Sequence, residues 1–310
     1  MGAGGIGGYF GGRLAAAGED VHFVARGAHL DALRGGGLAI ESPDGGVSVV
    51  PVRATHDSTE IGVVDYVLLC VKTWQLEPAL KTVRPLLGPA TAVVTVQNGV
   101  EAPGQVAEAL GGAAVMPGIA KVISLLDSPG RVRHLGGLGL LGFGEWDGQT
   151  SDRARRLSDA LAGAGIEGGM LKDIWAELWA KFLFIVPFGG LGAAADATIG
   201  ELRTQPRTRR LLTEAMAEIE RVARARNVNL AHDVVHRSLD FVDQQPAAGT
   251  SSLQRDLLAG RPSELEALTG AVVRLGAESG VATPVNSFLH DVLSVREARA
   301  IADADHAQGD

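Results

Sequence analysis

Residues able to do chemistry begin at the first position of the chain. Met1-Gly2-Ala3-Gly4-Gly5-Ile6-Gly7-Gly8 contains the spacing G-x-G-x-x-G at Gly2, Gly4 and Gly7. In a βαβ unit the first such glycine makes the tight turn. The second lets the backbone approach a pyrophosphate, and the third lets helix and strand pack closely. The following helix then offers free N–H groups and a partial positive charge to phosphates. A cofactor-binding segment of Gly2, Gly4, Gly5, Ile6 and Gly7 is therefore expected, with a plain glycine turn as the alternative. A site for NAD usually carries Asp or Glu about 20 residues on, to bond the ribose 2′-OH. Here the second strand, Val21 to Ala25, is followed by Arg26, and no carboxylate lies between Asp20 and Asp31. An arginine fork suits a 2′-phosphate, so NADP(H) is the expected cofactor. The alternative for Arg26 is a solvated loop cation.

Two further polar residues follow apolar strands, at the carboxyl ends where ligands bind in such sheets. Lys72, after the run ending at Val71, is expected beside the cofactor, unless it is a surface lysine. Asn98, in Gln97-Asn98-Gly99, could bridge cofactor and substrate through its amide, or could serve a turn, for which Asn-Gly is favoured. Lys181 lies in the strongly apolar segment Asp173 to Val186, flanked by aromatic and aliphatic residues. Lysine is rarely buried without a partner. Glu177, one turn earlier, could pair with it while it snorkels. The functional reading is a lysine at a domain cleft that gives a proton to a ketone oxygen as hydride arrives. Partial desolvation lowers a lysine's pKa towards the range useful to a general acid. Glu264 or Glu266, in Pro262-Ser263-Glu264-Leu265-Glu266, could hold a substrate hydroxyl or orient Lys181, or could form an ordinary acidic first turn. Thr250-Ser251-Ser252 could bind a carboxylate or be a loop.

These groups need rigid elements to hold them. Residues 1 to about 125 alternate strand-like and helix-like segments, among them the apolar strands at 63–71 and 92–96. This alternation predicts a doubly wound parallel sheet. A short strand is expected at 114–117. The segments 131–135 and 139–143, separated by glycines, read as a β-hairpin. A helix over 151–162 and a strand-like piece over 165–170 complete the first domain, placed at 1–171. From about Leu171 strand patterns vanish and helices are expected at 173–186, 206–226, 232–243, 262–279 and 284–299. The second domain, 172–310, is thus all-helical, with fraying after about 301.

Composition narrows the choice of partners. The 310 residues are 46% hydrophobic, with net charge −8. That balance argues against nucleic acid or an anionic membrane as partner, leaving a small molecule. The one cysteine, Cys70, excludes an internal disulfide and a cysteine-rich zinc site. The histidines show no metal-ligand spacing, so no metal is expected. No signal peptide is found and no apolar run long enough to span a bilayer, which fits a reducing cytoplasm. A homodimer is left open.

The chain resembles the ketopantoate reductase (2-dehydropantoate 2-reductase) family nearly end to end. The matching stretches are Gly2 to Gly7, Val71 to Gln75, Gln97 to Gly99, Ala176 to Lys181, Gly200 to Leu202, Thr250 to Ser252, Arg261 to Leu265 and Gly280 to Asn286. The resemblance implies an α/β fold: an N-terminal Rossmann-type domain and a helical C-terminal domain similar to that of 6-phosphogluconate dehydrogenase. It implies NADPH as hydride donor and reduction of ketopantoate to pantoate, on the route to pantothenate. It further implies Lys181 as proton donor, Glu264 binding substrate or holding the lysine, and Ser252 on the substrate carboxylate. Asn98 would lie between cofactor and substrate, with Arg26 and Lys72 near the adenosine phosphate.

The chain departs from the family in two places. Where members carry Asn one and two turns after the lysine, this chain has Ile185 and Gly189, and its Pro187 is displaced. A lost bond from such an amide to a charged substrate is worth about 1.5–3 kcal/mol. A reductase for another branched or bulkier 2-oxoacid is therefore a second reading. A non-catalytic NADP-binding redox-responsive module is a third, against which Lys181 and Glu264 count. The other departure is that the strand expected before the glycine turn is truncated. Met1 is accordingly expected to be a misassigned start, with several more apolar residues ahead of it in the native chain.

Overall fold

The computed structural model describes residues 1–309. Asp310 and the side chains of residue 300 and of residues 303–309 lie outside the described residues, and the expected fraying falls mainly on them. Two compact units form, Met1–Gln97 with Ala102–Ile174, and Asn98–Glu101 with Trp175–Asp310. The chain thus changes unit at 174/175, three residues beyond the expected boundary, and the short segment after Gln97 belongs with the second unit.

The first unit contains, in order, α1 (Gly5–Ala16), β1 (His22–Val24), α2 (Gly27–Gly36), β2 (Leu38–Glu41), β3 (Val47–Val50), β4 (Arg53–Thr55) and β5 (Tyr66–Leu69). Then follow α3 (Leu76–Val83), β6 (Ala92–Thr95), α4 (Ala102–Leu110), β7 (Val115–Ser128), β8 (Arg131–Phe143), α5 (Asp152–Gly163) and β9 (Glu167–Met170). Strands β5, β6 and β7 are parallel neighbours. All four residues of β6 are buried, as a strand covered on both faces requires. One face is packed by Leu76, Leu80, Val83 and Val106 of α3 and α4. Another cluster gathers Phe10, Leu33, Met116, Phe143, Leu157 and Leu161.

β1 and β4 form a separate parallel pair. Beside the outer edge of β5 lies Met1, whose amine donates to Leu68 O (3.0 Å) and whose carbonyl accepts from Cys70 N–H (2.9 Å). The glycine turn therefore follows a single paired residue where a Rossmann unit has a strand.

The region from 114 to 143 differs from the expectation of a short strand and a separate hairpin. β7 runs on to Ser128 and pairs antiparallel with β8, a single strand through Arg131–Phe143, and the turn is at Pro129-Gly130. The glycines that read as a turn, Gly136, Gly137 and Gly139, take positive φ inside β8 instead. They lie where the β7–β8 register shifts, so they absorb bulges rather than reversing the chain. β8 also takes β2 and β9 as parallel partners, and β3 adds antiparallel to β2. The larger sheet is thus mixed, in the order β3-β2-β8-β7-β6-β5.

The second unit is helical: α6 (Ile174–Ala195), α7 (Ile199–Thr204), α8 (Pro206–Ala225), α9 (Val234–Gln244), α10 (Ser252–Leu258), α11 (Ala271–Glu278) and α12 (Pro284–Gly309). A π-helical turn, Glu266–Gly270, leads into α11. The helix expected from Pro262 therefore starts four residues later, and Glu264 lies in a bend before it. α6 continues past Val186 through Pro187 because its continuation is buried. Cβ atoms at Gly189 and Gly190 would lie 3.2 Å from Leu253 Cδ2 and Leu289 Cδ1, so these glycines admit neighbours rather than ending the helix. With 22 residues and mean hydropathy 1.6, α6 is long and apolar enough to cross a bilayer, contrary to the expectation that no such run exists. Two thirds of its most apolar stretch is buried within the fold, as in a core helix.

Glu218 of α8 is 2% exposed and caps α12. Its carboxylate accepts from the N–H groups of Val285 (2.8 Å) and Asn286 (3.0 Å) and from Asn286 Nδ2 (2.7 Å). A negative group there meets both the unpaired first-turn donors and the positive helix end.

Candidate active site

In the first unit the three fingerprint glycines have different neighbours. Gly2 takes φ +84°, which favours glycine. A Cβ on it would lie 2.9 Å from Val71 N, so the turn is seated at the carboxyl end of β5. A Cβ on Gly7 would lie 2.2 Å from Gly2 O and 3.1 Å from Cys70 Cβ, so only glycine lets α1 start this close to the turn. A Cβ on Gly4 would meet no atom within 4 Å. That open approach is at the N-cap of α1, which has no side-chain cap. The N–H groups of Gly5, Ile6 and Gly7 lack an intrahelical acceptor by position. A close backbone, free donors and no obstructing side chain fit a pyrophosphate.

Arg26 is the exposed N-cap residue of α2, directly beyond β1. α2 is tied to the turn through His29, whose Nε2 is 2.8 Å from Ala3 O. Lys72 is half-buried and starts the short 3-10 turn Thr73–Gln75. It directly follows Val71, against which Gly2 packs. Burial pushes the Cys70 thiol up to about 11, which suits a packing role beside Gly7 rather than a nucleophile. Gln97 has a structural part that its place in Gln97-Asn98-Gly99 does not disclose. Its Nε2 donates to Leu69 O (2.7 Å) and Val71 O (3.1 Å), fixing the end of β6 to that of β5.

In the second unit Lys181, Asn98 and Glu264 meet. Lys181 Nζ donates to Asn98 Oδ1 at 2.9 Å, and Asn98 Nδ2 donates to Glu264 Oε2 at 3.2 Å. The two bonds fix which end of the amide faces which charge: acceptor to ammonium, donor to carboxylate. Lys181 and Asn98 are half-buried, whereas Glu264 is 4% exposed. Gly99 takes φ +95°, and a Cβ there would lie 2.7 Å from Ala267 O. The Asn98 segment can therefore lie against the π turn only with glycine at 99.

The residues on either side of Glu264 are anchored. Glu297 of α12 accepts from Ser263 N–H (3.0 Å) and from Ser263 Oγ. After it, Glu266 bonds Arg274 (2.9 Å) and His290 (2.8 Å), and Arg274 also reaches Glu101 (2.9 Å). Burial raises the Glu266 carboxyl, but the His290 and Arg274 contacts outweigh it and the net shift is downward. Glu266 is thus engaged elsewhere, and of the two carboxylates Glu264 is the one bonded to Asn98.

Ser252 is not joined to this trio. It is half-buried in the first turn of α10, where the preceding Ser251 supplies the cap by accepting from Gln254 N–H (3.0 Å). Ser251 also lies near α6, since a Cβ on Gly189 would be 3.2 Å from its Oγ. Ile185 is half-buried one turn after Lys181.

Comparison with known proteins agrees across the chain. The family described as "Ketopantoate reductase PanE/ApbA" matches residues 1–148, and its C-terminal counterpart matches residues 173–297. A 2-dehydropantoate 2-reductase of Mesorhizobium japonicum is 33% identical over 305 residues, covering 92% of each chain. Among solved structures, a PanE/ApbA family ketopantoate reductase from Ralstonia eutropha JMP134 superposes with a TM-score of 0.88 at 30% identity, covering 96% of this chain and 97% of its own. A 2-dehydropantoate 2-reductase from Geobacter metallireducens GS-15 gives 0.88 at 30% identity, covering 95% and 97%.

Proposed function

This chain belongs to the ketopantoate reductase family of oxidoreductases, and on that footing we propose that it reduces 2-dehydropantoate to pantoate with NADPH. The observation that carries the reading is the chain of bonds Lys181–Asn98–Glu264. Reducing a ketone to an alcohol needs a hydride at carbon and a proton at oxygen. When bound, the reduced nicotinamide supplies the hydride. Lys181 gives the proton from Nζ to the ketone oxygen, leaving a neutral amine that water reprotonates. Asn98 aims the ammonium through Oδ1, and Glu264 prevents the amide from turning over by accepting from Nδ2. A pre-aimed donor of this kind needs no reorganisation as charge develops on the oxygen.

The cofactor is held by Gly2, Gly4, Gly5, Ile6 and Gly7, with the first-turn N–H groups of α1 on the pyrophosphate. Arg26 takes the 2′-phosphate and Lys72 lies nearby. Ser252 takes the substrate carboxylate. The preference for NADPH over NADH rests on Arg26 and on the absence of a carboxylate between Asp20 and Asp31. The single cysteine suits an enzyme of the reducing cytoplasm.

Ile185 and Gly189 favour a second reading, a 2-oxoacid whose side chain is apolar where ketopantoate carries a hydroxyl. Even the Cβ of an Asn at 189 would need Ser251 and Leu253, each 3.2 Å from it, to give way slightly. The test is NADPH oxidation against a panel of 2-oxoacids, with wild type and Lys181→Ala. We expect turnover of ketopantoate and a loss of kcat of at least about a hundredfold in the variant. Full turnover by Lys181→Ala would remove the proton-donor assignment. Turnover of other 2-oxoacids alone would select the second reading, and NADPH binding without any turnover would leave a binding module.

A further inference from the structure

The glycine turn is held by a side chain to which the reaction assigns no part. His29 sits in the first turn of α2, and both of its ring nitrogens are engaged. Nδ1 accepts from the backbone N–H of Gly130 at 2.9 Å. A peptide N–H can only donate, so Nδ1 carries the lone pair and the ring proton is on Nε2. Nε2 then donates to Ala3 O, 2.8 Å away. The ring cannot easily swing aside, because α2 is seated on the β7–β8 turn. Gly130 takes φ +77°, and a Cβ on it would lie 3.0 Å from that of Ala32.

Ala3 separates the first two glycines of the fingerprint. Its carbonyl and the N–H of Gly4 belong to one planar trans peptide and point in opposite directions. Holding Ala3 O therefore also sets the direction of Gly4 N–H, at the residue whose surroundings are open. We propose that His29 is a positioning residue for the dinucleotide: it locks the Ala3–Gly4 peptide so that Gly4 N–H faces the approach of the pyrophosphate. This rests on the reading that the fingerprint holds NADP(H).

The test compares His29→Gln, His29→Asn and His29→Leu in the full chain. Gln places an amide N–H near the Nε2 position and keeps the donor to Ala3. Asn places an oxygen near the Nδ1 position, keeping the acceptor for Gly130 but falling short of Ala3. NADPH affinity is read by fluorescence titration without 2-oxoacid. We expect His29→Gln to bind within about twofold of wild type, and His29→Asn and His29→Leu about tenfold more weakly, the scale of one lost hydrogen bond. The KM for 2-oxoacid and kcat at saturating NADPH should not change, whereas a general loss of fold would move them. In the unliganded protein, 15N relaxation should show Gly4 more mobile in His29→Asn than in His29→Gln. Wild-type affinity in His29→Asn, or equal weakening in the Gln and Asn variants, would overturn the proposal. If wild type itself took no NADPH, the cofactor reading would fail separately, and the Gly4 relaxation comparison would still decide the role of His29.

Discussion

Gly4 and Gly7 lie three residues apart, yet a methyl group should have opposite effects at the two. Gly7→Ala brings its Cβ to 2.2 Å from Gly2 O. Ordinary contact would need that oxygen to retreat by about 1 Å, the scale of shift that overpacking forces. The turn has little room to shift, since Gly2 lies so near the end of β5 that a Cβ on it would come 2.9 Å from Val71 N. Such overpacking costs about 1–3 kcal/mol. At about 2–4 °C per kcal/mol for a domain of this size, the first unit should melt several degrees lower. Gly4→Ala meets no atom within 4 Å. Its poorer N-cap costs at most about 1 kcal/mol, and the stiffer unfolded chain returns about 0.4–1 kcal/mol. Its melting temperature should stay near that of wild type. The new methyl does, however, occupy the approach to the N–H groups proposed to bind phosphate. Losing one charge-assisted bond costs about 1.5–3 kcal/mol, or about ten- to a hundredfold in NADPH affinity. Calorimetry with an NADPH titration reads both effects. A Gly4→Ala protein that bound NADPH as tightly as wild type would refute the argument for the cradle, as would a Gly7→Ala protein that melted like wild type.

Glu218→Ala should destabilise the second unit by about 2–4 kcal/mol in urea unfolding, because it orphans buried donors at the start of α12; Glu218→Gln should lose less. Arg26→Ala should leave stability within about 0.5 kcal/mol, since the residue is exposed. Its kcat/KM with NADPH should fall about tenfold or more, with little change for NADH. Cys70 in the native protein should resist alkylation at pH 8: with a thiol at about 11 against 9.0 when unfolded, its thiolate fraction is about a hundredfold lower. Because burial raises that value, the thiol's contribution to stability is intact below pH 9 and is lost as the pH climbs towards 11, which unfolding at stepped alkaline pH would show.

Much of this organisation is legible in residue pattern. Alternating buried strands and amphipathic helices mark the first unit, and the apolar flanks of Lys181 mark it as unusual, because local composition determines both. What depends on distant contacts is not legible. Gly136, Gly137 and Gly139 look like a turn in sequence, and only pairing with β7 shows them to be bulges. Gly189 and Gly190, just after Pro187, look like a helix end until Leu253 and Leu289 are seen to fill the space beside them. By local pattern Glu264 and Glu266 are indistinguishable, because both begin an acidic turn, and only the family resemblance selects Glu264; Arg274 and His290, which draw Glu266 away, are 8 and 24 residues further on. His29 gives no signal at all, since its partners Ala3 and Gly130 are 26 and 101 residues distant.

The π turn at Glu266–Gly270 makes the aim of one carboxylate depend on residue count. Such a turn closes with a bond from Gly270 N–H back to Leu265 O, five residues earlier rather than four. Excising one residue there would relax the turn into ordinary helix and rotate what precedes it by about 100°. Glu264 would swing off Asn98 with its chemistry unaltered. Deletion scanning across 266–270 should accordingly be harsher than side-chain replacement at the same positions. Related chains with a shorter connection here would be expected to place a different residue opposite the amide.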